Sequence, residues 1–268
     1  PEERFVDYPG TLWYRVLDRV DGRVNAIDGG VLSESASRNP IGSMYVTTQT
    51  VSTPERTHVA WHDTDVGVER GGNETWIRTY DVASGEWSEK TLVGPARDDH
   101  GFPALALDSE GHIHVLCGAH SSEVRYTRST RPDDASQFEA LEVVPGVERG
   151  THLSFVCDLQ DRLHLVFRDS ARMGPDEDRM GMGYAVRDGR WTPARRLAHS
   201  PQPGYCRMCN HLSIDRAGRV FLNYGYFTLD YRSEGQVSEW YYPVLAYSAD
   251  GGETWRLVPD DFGLASGR

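Results

Sequence analysis

A group of histidines, one arginine and two tyrosines stand in this sequence where short strand-like runs begin or end. His100, His152 and His211, the last in the run Cys209-Asn210-His211, precede or open such runs. His62, His120, Arg168, Tyr224 and Tyr226 close others. These side chains suit proton exchange at an anionic substrate. Imidazole changes charge near neutral pH, and the guanidinium fork matches a carboxylate or a sulfate. Brought together in a concave mouth, they form a candidate site, as convergent titratable groups usually do. His112, His114 and His164 fall inside second strands, with His164 in the place of His114 one repeat later, so a structural role in the repeat is expected for them.

A second cluster has metal-ligand spacing. His199, Cys206, Cys209 and His211 lie close in sequence, and the Cys-x-x-Cys bite lets two thiolates share a tetrahedral zinc. Four protein ligands would leave no open position, so such a zinc would be structural. A pair of buried thiols or a disulfide are the alternatives. Cys117 and Cys157 alternate into strand interiors and are expected in the core.

The elements that must position these groups form a repeat. FPALALDSEGHIHVLCGAH, LSFVCDLQDRLHLVFRDS and NHLSIDRAGRVFLNYGYF each read as an alternating strand, an Asp-x-x-Gly or Asp-x-x-Asp turn, and a second alternating strand. The turn acids Asp108, Asp158 and Asp215 are 50 and 57 residues apart. Two further strand-like runs follow each hairpin, and a less regular copy precedes them from about residue 43. Four strands at that period predict an all-β fold, a β-propeller of four-stranded antiparallel blades. We expect one domain over residues 1–268, with clear blades over about 43–258. Residues 1–42 would add a further blade or ring-closing strands, giving four to five blades. The turns mark one edge of each blade, so the candidate residues converge at the opposite edge. Counting back from the turns, His100, His152 and His211 lie eight, six and four residues upstream, which alternation assigns to one face. Ser248 to Trp255 reads S-x-D-x-G-x-T-W, an Asp-box hairpin whose Trp is expected to pack between blades.

Forty acidic residues against 28 basic ones give a formal net charge of −12. That field repels nucleic acid and anionic membrane surfaces as bulk partners. No run approaches the apolar length of a membrane span, and the first residues lack the pattern of a signal peptide.

Asp98-Asp99-His100-Gly101-Phe102-Pro103-Ala104, the turn at Asp108 to Val115, Gly118-Ala119-His120, Phe167-Arg168-Asp169 and the Asp-box together resemble the BNR-repeat proteins that include the ulvan lyases of polysaccharide lyase families twenty-four and twenty-five. The likeness covers about residues 56 to 258. It implies a secreted or periplasmic polysaccharide lyase acting by β-elimination on a uronate-containing, acidic and sulfated polysaccharide, with Arg168 on the carboxylate and His100, His120, His152 and Tyr224 as the binding and proton-exchanging groups. It also implies a structural zinc, and a seven-bladed ring of which this chain would hold part. His152 stands where those lyases carry a Tyr. A non-catalytic glycan-binding propeller is the alternative, and a sialidase-like hydrolase a weaker one. Oligomeric state is not readable from the sequence.

Overall fold

The computed structural model describes residues 9–20, 23–37, 48–64, 73–97, 101–120, 122–169, 180–200, 205–230 and 237–258, with backbone alone for 9, 18–20, 37, 205–209, 226–230 and 237–243. Every regular element among them is a β-strand. The chain is an all-β propeller of antiparallel blades. Blade 1 contains β3 (Thr50–Ser52), β4 (Arg56–Asp63), β5 (Asn73–Asp81), β6 (Glu86–Trp87) and β7 (Thr91–Ala96). Blade 2 contains β8 (Ala104–Leu107), β9 (Ile113–Cys117), β10 (Arg125–Arg131), β11 (Asp134–Phe138) and β12 (Glu142–Val143). Blade 3 contains β13 (Gly150–Cys157), β14 (Leu163–Asp169), β15 (Gly181–Asp188), β16 (Arg190–Trp191) and β17 (Arg195–His199). Blade 4 contains β18 (Tyr205–Ile214), β19 (Val220–Asp230), β20 (Val237–Ser248) and β21 (Arg256–Leu257). The fourth strand of blades 1 to 3 is split into two short pieces, both paired to the third. Residues 9–37 form a long hairpin of β1 (Pro9–Val20) and β2 (Arg23–Ser37), joined to blade 1 where Ala36 pairs with Asp63.

The turn aspartates explain why the inner hairpins close where they do. One carboxylate oxygen of each accepts two backbone N–H groups: those of Glu110 and His112 at Asp108, of Gln160 and Arg162 at Asp158, and of Ala217 and Arg219 at Asp215. The fourth residue of each turn, Gly111, Asp161 or Gly218, then takes φ of +87°, +60° or +76°, a conformation that Gly adopts freely and Asp tolerates. Asp161 also receives the backbone N–H and hydroxyl of Ser109, at 2.7 and 2.6 Å, tying one turn to the next.

The other oxygen of Asp108 and Asp158 reaches into the blade. Asp108 Oδ2 lies 3.1 Å from His114 Nε2, and His114 Nδ1 lies 2.6 Å from the Tyr126 hydroxyl. Asp158, His164 and Tyr184 repeat this chain at 3.0 and 2.7 Å. An ionised carboxylate can only accept, which puts the imidazole proton on Nε2 and leaves Nδ1 to accept from the tyrosine. The structural role expected for His114 and His164 is this relay.

The core lies between blades. Ala60 and Ile77 of blade 1 meet Leu105 and Val115 of blade 2. Leu116 and Tyr126 meet Phe155 and Leu165 of blade 3, and Val166 and Met182 meet Leu212 and Leu222 of blade 4. Trp255 of the Asp-box packs edge-on against Tyr184 at 5.4 Å, and Trp191 meets Tyr126 in the same way at 5.5 Å. Within the box, Asp250 accepts from the backbone and hydroxyl of Thr254, which hold its carboxyl well below the usual carboxylate range. Cys117 is buried in the core, whereas Cys157 is half-buried beside the turn at Asp158; burial pushes both thiols up to about 12.

Burial also depresses the histidines, His114 to about 4 and His58 and His164 in the same direction, although their aspartate partners pull the other way. Each is therefore neutral in the native blade at pH 7. Below pH 6.5 the unfolded chain takes up protons that these native rings refuse, so stability present above that pH is lost as pH falls from 6.5 toward 4. Urea denaturation midpoints should fall steadily across that window. A midpoint constant from pH 7.5 to about 4.5 would contradict neutral buried histidines.

Candidate functional site

Alternation along the inner strands decides which residues meet at the edge away from the turns. On β14, Leu163, Leu165 and Phe167 face blade 2, whereas Val166 faces blade 4. Arg168 is two positions beyond Val166 and so lies on the blade 4 side, 4% exposed. On blade 4, Leu212 and Leu222 pair and face back toward blade 3, and the next outward pair on that face is Asn210 with Tyr224. Arg168, Asn210 and Tyr224 thus share the cleft between blades 3 and 4. Burial raises the Tyr224 hydroxyl above its ordinary value, so it stays protonated and suits a donor rather than a base.

The main chain at His152 borders this cleft through a β-bulge. Thr151 pairs with Arg168 and Ser154 with Val166, so His152 and Leu153 together oppose Phe167. His152 has φ +56°, and its carbonyl accepts from Asn210 Nδ2 at 3.1 Å. The neighbouring Ser154 hydroxyl oxygen accepts the Leu212 N–H at 2.7 Å, stitching β13 to β18 below the cleft. Bulges kink a strand and re-aim a side chain, and they are common beside active sites.

His120 has φ +74°, and its N–H donates to the Gly150 carbonyl at 2.8 Å, at the entry to β13. Among the described residues the non-glycine positions with positive φ are two turn aspartates, Asp133 and Asp161, and the histidines His120 and His152. Non-glycine residues held in this region cluster at functional sites. Gly101 packs against the backbone of Ala119, where a Cβ would collide with the carbonyl; the segment leading from His100 and the segment carrying His120 therefore run backbone against backbone. His100 itself lies outside the described residues. His62 is buried and stacks on Phe102, with ring centroids 6.0 Å apart.

Two of the described acids at this edge are tied down. Asp169, beside Arg168, is held by Arg196. Asp63 receives Lys90 at 2.7 Å, Ser33 at 2.6 Å and the Trp61 indole at 2.5 Å.

One sequence expectation changes. The bulge interrupts alternation between His152 and its turn, so the count that placed His100, His152 and His211 on one face does not hold across it. His211 lies on the opposite face of β18 from Asn210 and Leu212, away from blade 3. The residue that sequence reading passed over is Asn210, noted only as part of a run. Its signal was its odd offset from Asp215, the same parity as the core residue Leu212.

Two of the four candidate zinc ligands have described side chains. His199 is exposed at the end of β17, and His211 is half-buried on β18. Cys206 and Cys209 pair by backbone with Thr228 and Gly225 on a ladder without register shifts, and their side chains lie outside the described residues. Among the described residues no three His, Cys, Asp or Glu side chains form a group that could hold a metal.

Comparison with known proteins agrees with this architecture. A PL25 ulvan lyase bound to -[GlcA(1-4)Rha3S]- superimposes with TM-score 0.60 at 15% identity, over 79% of this chain and 54% of its own. The polysaccharide lyase Uly1 gives 0.53 at 13%, over 78% and 54%. A Penicillium chrysogenum alpha-L-arabinanase complexed with arabinobiose gives 0.52 at 13%, over 81% and 67%. The matched part of this chain thus spans about half the length of the two lyases. No curated protein sequence matches the chain. The profile of the BNR repeat-containing family matches residues 56–259, which covers blades 2 to 4 and blade 1 from β4 onward, and the chain belongs to that family.

Proposed function

We propose that this protein is a polysaccharide lyase that cleaves a uronate-containing acidic polysaccharide by β-elimination in the cleft between blades 3 and 4. The observation that carries the reading is Arg168, buried on the blade 4 side of β14 with Asn210 and Tyr224 opposite and the bulged backbone of His152 nearby. Ulvan lyases among the structures of the same fold support the substrate class.

The chemistry follows from the groups. A uronate C5–H is weakly acidic until its carboxylate is neutralised, and the two-pronged guanidinium of Arg168 supplies that charge. His152, or His120 at the neighbouring cleft, takes the C5 proton as a neutral imidazole. The electron pair of that bond forms the C4–C5 double bond as the C4–O4 bond breaks. The leaving oxygen is protonated by an acid, for which the hydroxyl of Tyr224 is suited. A glycosidase would instead need two free carboxyl groups flanking the bond. Two of the described acids at this edge, Asp63 and Asp169, are engaged by Lys90 and Arg196.

Purified protein given ulvan should release product with the ultraviolet absorbance of an unsaturated uronate. Arg168→Ala should lose about 10²–10³ in rate while remaining folded, as expected when one oriented donor to developing negative charge is removed. Arg168→Lys should not restore activity. His120→Ala and His100→Ala should also be impaired, whereas His114→Ala should lower stability and leave the activity of the folded fraction intact. Binding of uronate polysaccharides without any unsaturated product would replace the lyase by a glycan-binding propeller.

We also propose a structural zinc on His199, Cys206, Cys209 and His211. It predicts one zinc per chain by metal analysis, with Cys206 and Cys209 shielded from alkylation until a chelator is added. A folded, metal-free chain with both thiols reactive would refute it.

A further inference from the structure

Asn210 is 6% exposed, and its two polar atoms are in different situations. Nδ2 donates to the His152 carbonyl. That bond fixes the orientation of the amide, because only the nitrogen can donate. Oδ1 is buried and accepts from no group among the described residues. A buried oxygen that can only accept, in a polar cleft, is poised for a donor brought from outside the protein.

We propose that Asn210 Oδ1 accepts a ring hydroxyl of the uronate whose carboxylate lies on Arg168. This rests on the reading of the cleft as a uronate site and adds to it the recognition of a neutral group. The charges separate the two partners. An amide oxygen repels carboxylate and sulfate oxygens, and the guanidinium across the cleft attracts them. A hexuronate ring carries both an anion and hydroxyl donors, so the two residues hold it at two points and set which face of the ring meets His152. The same amide thus links substrate to machinery: Nδ2 clamps the left-handed bulge at His152 while Oδ1 holds the sugar. A water molecule donating to Oδ1 is the competing occupant, and it predicts no discrimination between sugars.

The test uses methyl β-D-glucuronide and its 2-deoxy and 3-deoxy congeners, none of which has a leaving saccharide at O4, with affinities read by NMR titration of the whole chain. Wild-type protein should bind one deoxy congener roughly tenfold more weakly than the parent, the loss expected when a dry acceptor goes unpaired. Asn210→Ala should bind parent and congener equally. Asn210→Asp keeps an acceptor oxygen and loses the donor to His152, so it should retain discrimination and lose rate on ulvan through kcat. In wild-type protein, which needs no folded variant, the Asn210 side-chain amide resonances should move with the parent sugar and not with the discriminated congener. Equal binding of all three sugars, or amide resonances indifferent to them, overturns the assignment while ulvan cleavage still stands. Failure of wild-type protein to bind or cleave any uronate overturns the assignment together with the reading on which it rests.

Discussion

Each of blades 2 to 4 depends on one aspartate whose two carboxylate oxygens have separate roles. One oxygen closes the inner turn by accepting two backbone N–H groups, which fixes the register of the first two strands. The second engages a side chain from the second strand or its start: His114, His164 with Arg162, or Arg219. A one-residue slip would turn every core side chain to the wrong face. Because the turn sets the register, it also sets which residues arrive at the far edge several positions later. The candidate site is therefore positioned from the opposite end of the blade.

That regular register is broken at one place on the inner strand of blade 3, and the break coincides with the cleft. Two residues of β13 oppose one of β14 at His152, and the bulge is braced by the next blade through Asn210 and through the Leu212 N–H to Ser154. A left-handed histidine costs conformational energy that the surrounding contacts must offset. Its neighbours do so from two strands and two blades, so the ring is carried by a rigid frame and not by a free loop. His120 is held comparably, between Gly118 at φ +84° and the Gly150 carbonyl.

The architecture was legible in the sequence because it rests on short-range chemistry. The turn aspartates, the left-handed fourth positions and the Asp-box are all set within four or five residues, so spacing alone reveals them. Arg168 and Tyr224 were legible as edge residues for the same reason. What sequence could not show depends on contacts between blades. Nothing local marks the bulge at His152, which is stabilised by residues some 58 positions away. Asn210 and His211 are adjacent in sequence and face opposite neighbours. The long hairpin of residues 9–37 lays Leu32 and Ala36 near Trp61 on the side of blade 1 that faces away from blade 2.

The buried relay changes from blade to blade, and the energetics of buried polar groups explain how. In blades 2 and 3, Asp, His and Tyr are all present, and a Trp from the next blade covers the Tyr. In blade 1, Ile77 stands at the place of the Tyr, and His58 instead pairs with Thr79 at 2.8 Å and with Asp133 of blade 2 at 2.9 Å. In blade 4 the His becomes Phe221 and the Tyr position becomes Leu245; Phe221 stacks on Tyr247, and Asp215 keeps Arg219. Removing one member of such a chain would strand a buried donor or acceptor, whereas replacing both with apolar groups is nearly neutral. Blade 4 shows the joint replacement; in blade 1, where the Tyr alone is replaced, the retained His58 finds Thr79 instead. The buried imidazoles of His114 and His164 are thus retained with partners at both nitrogens, which makes them part of the scaffold.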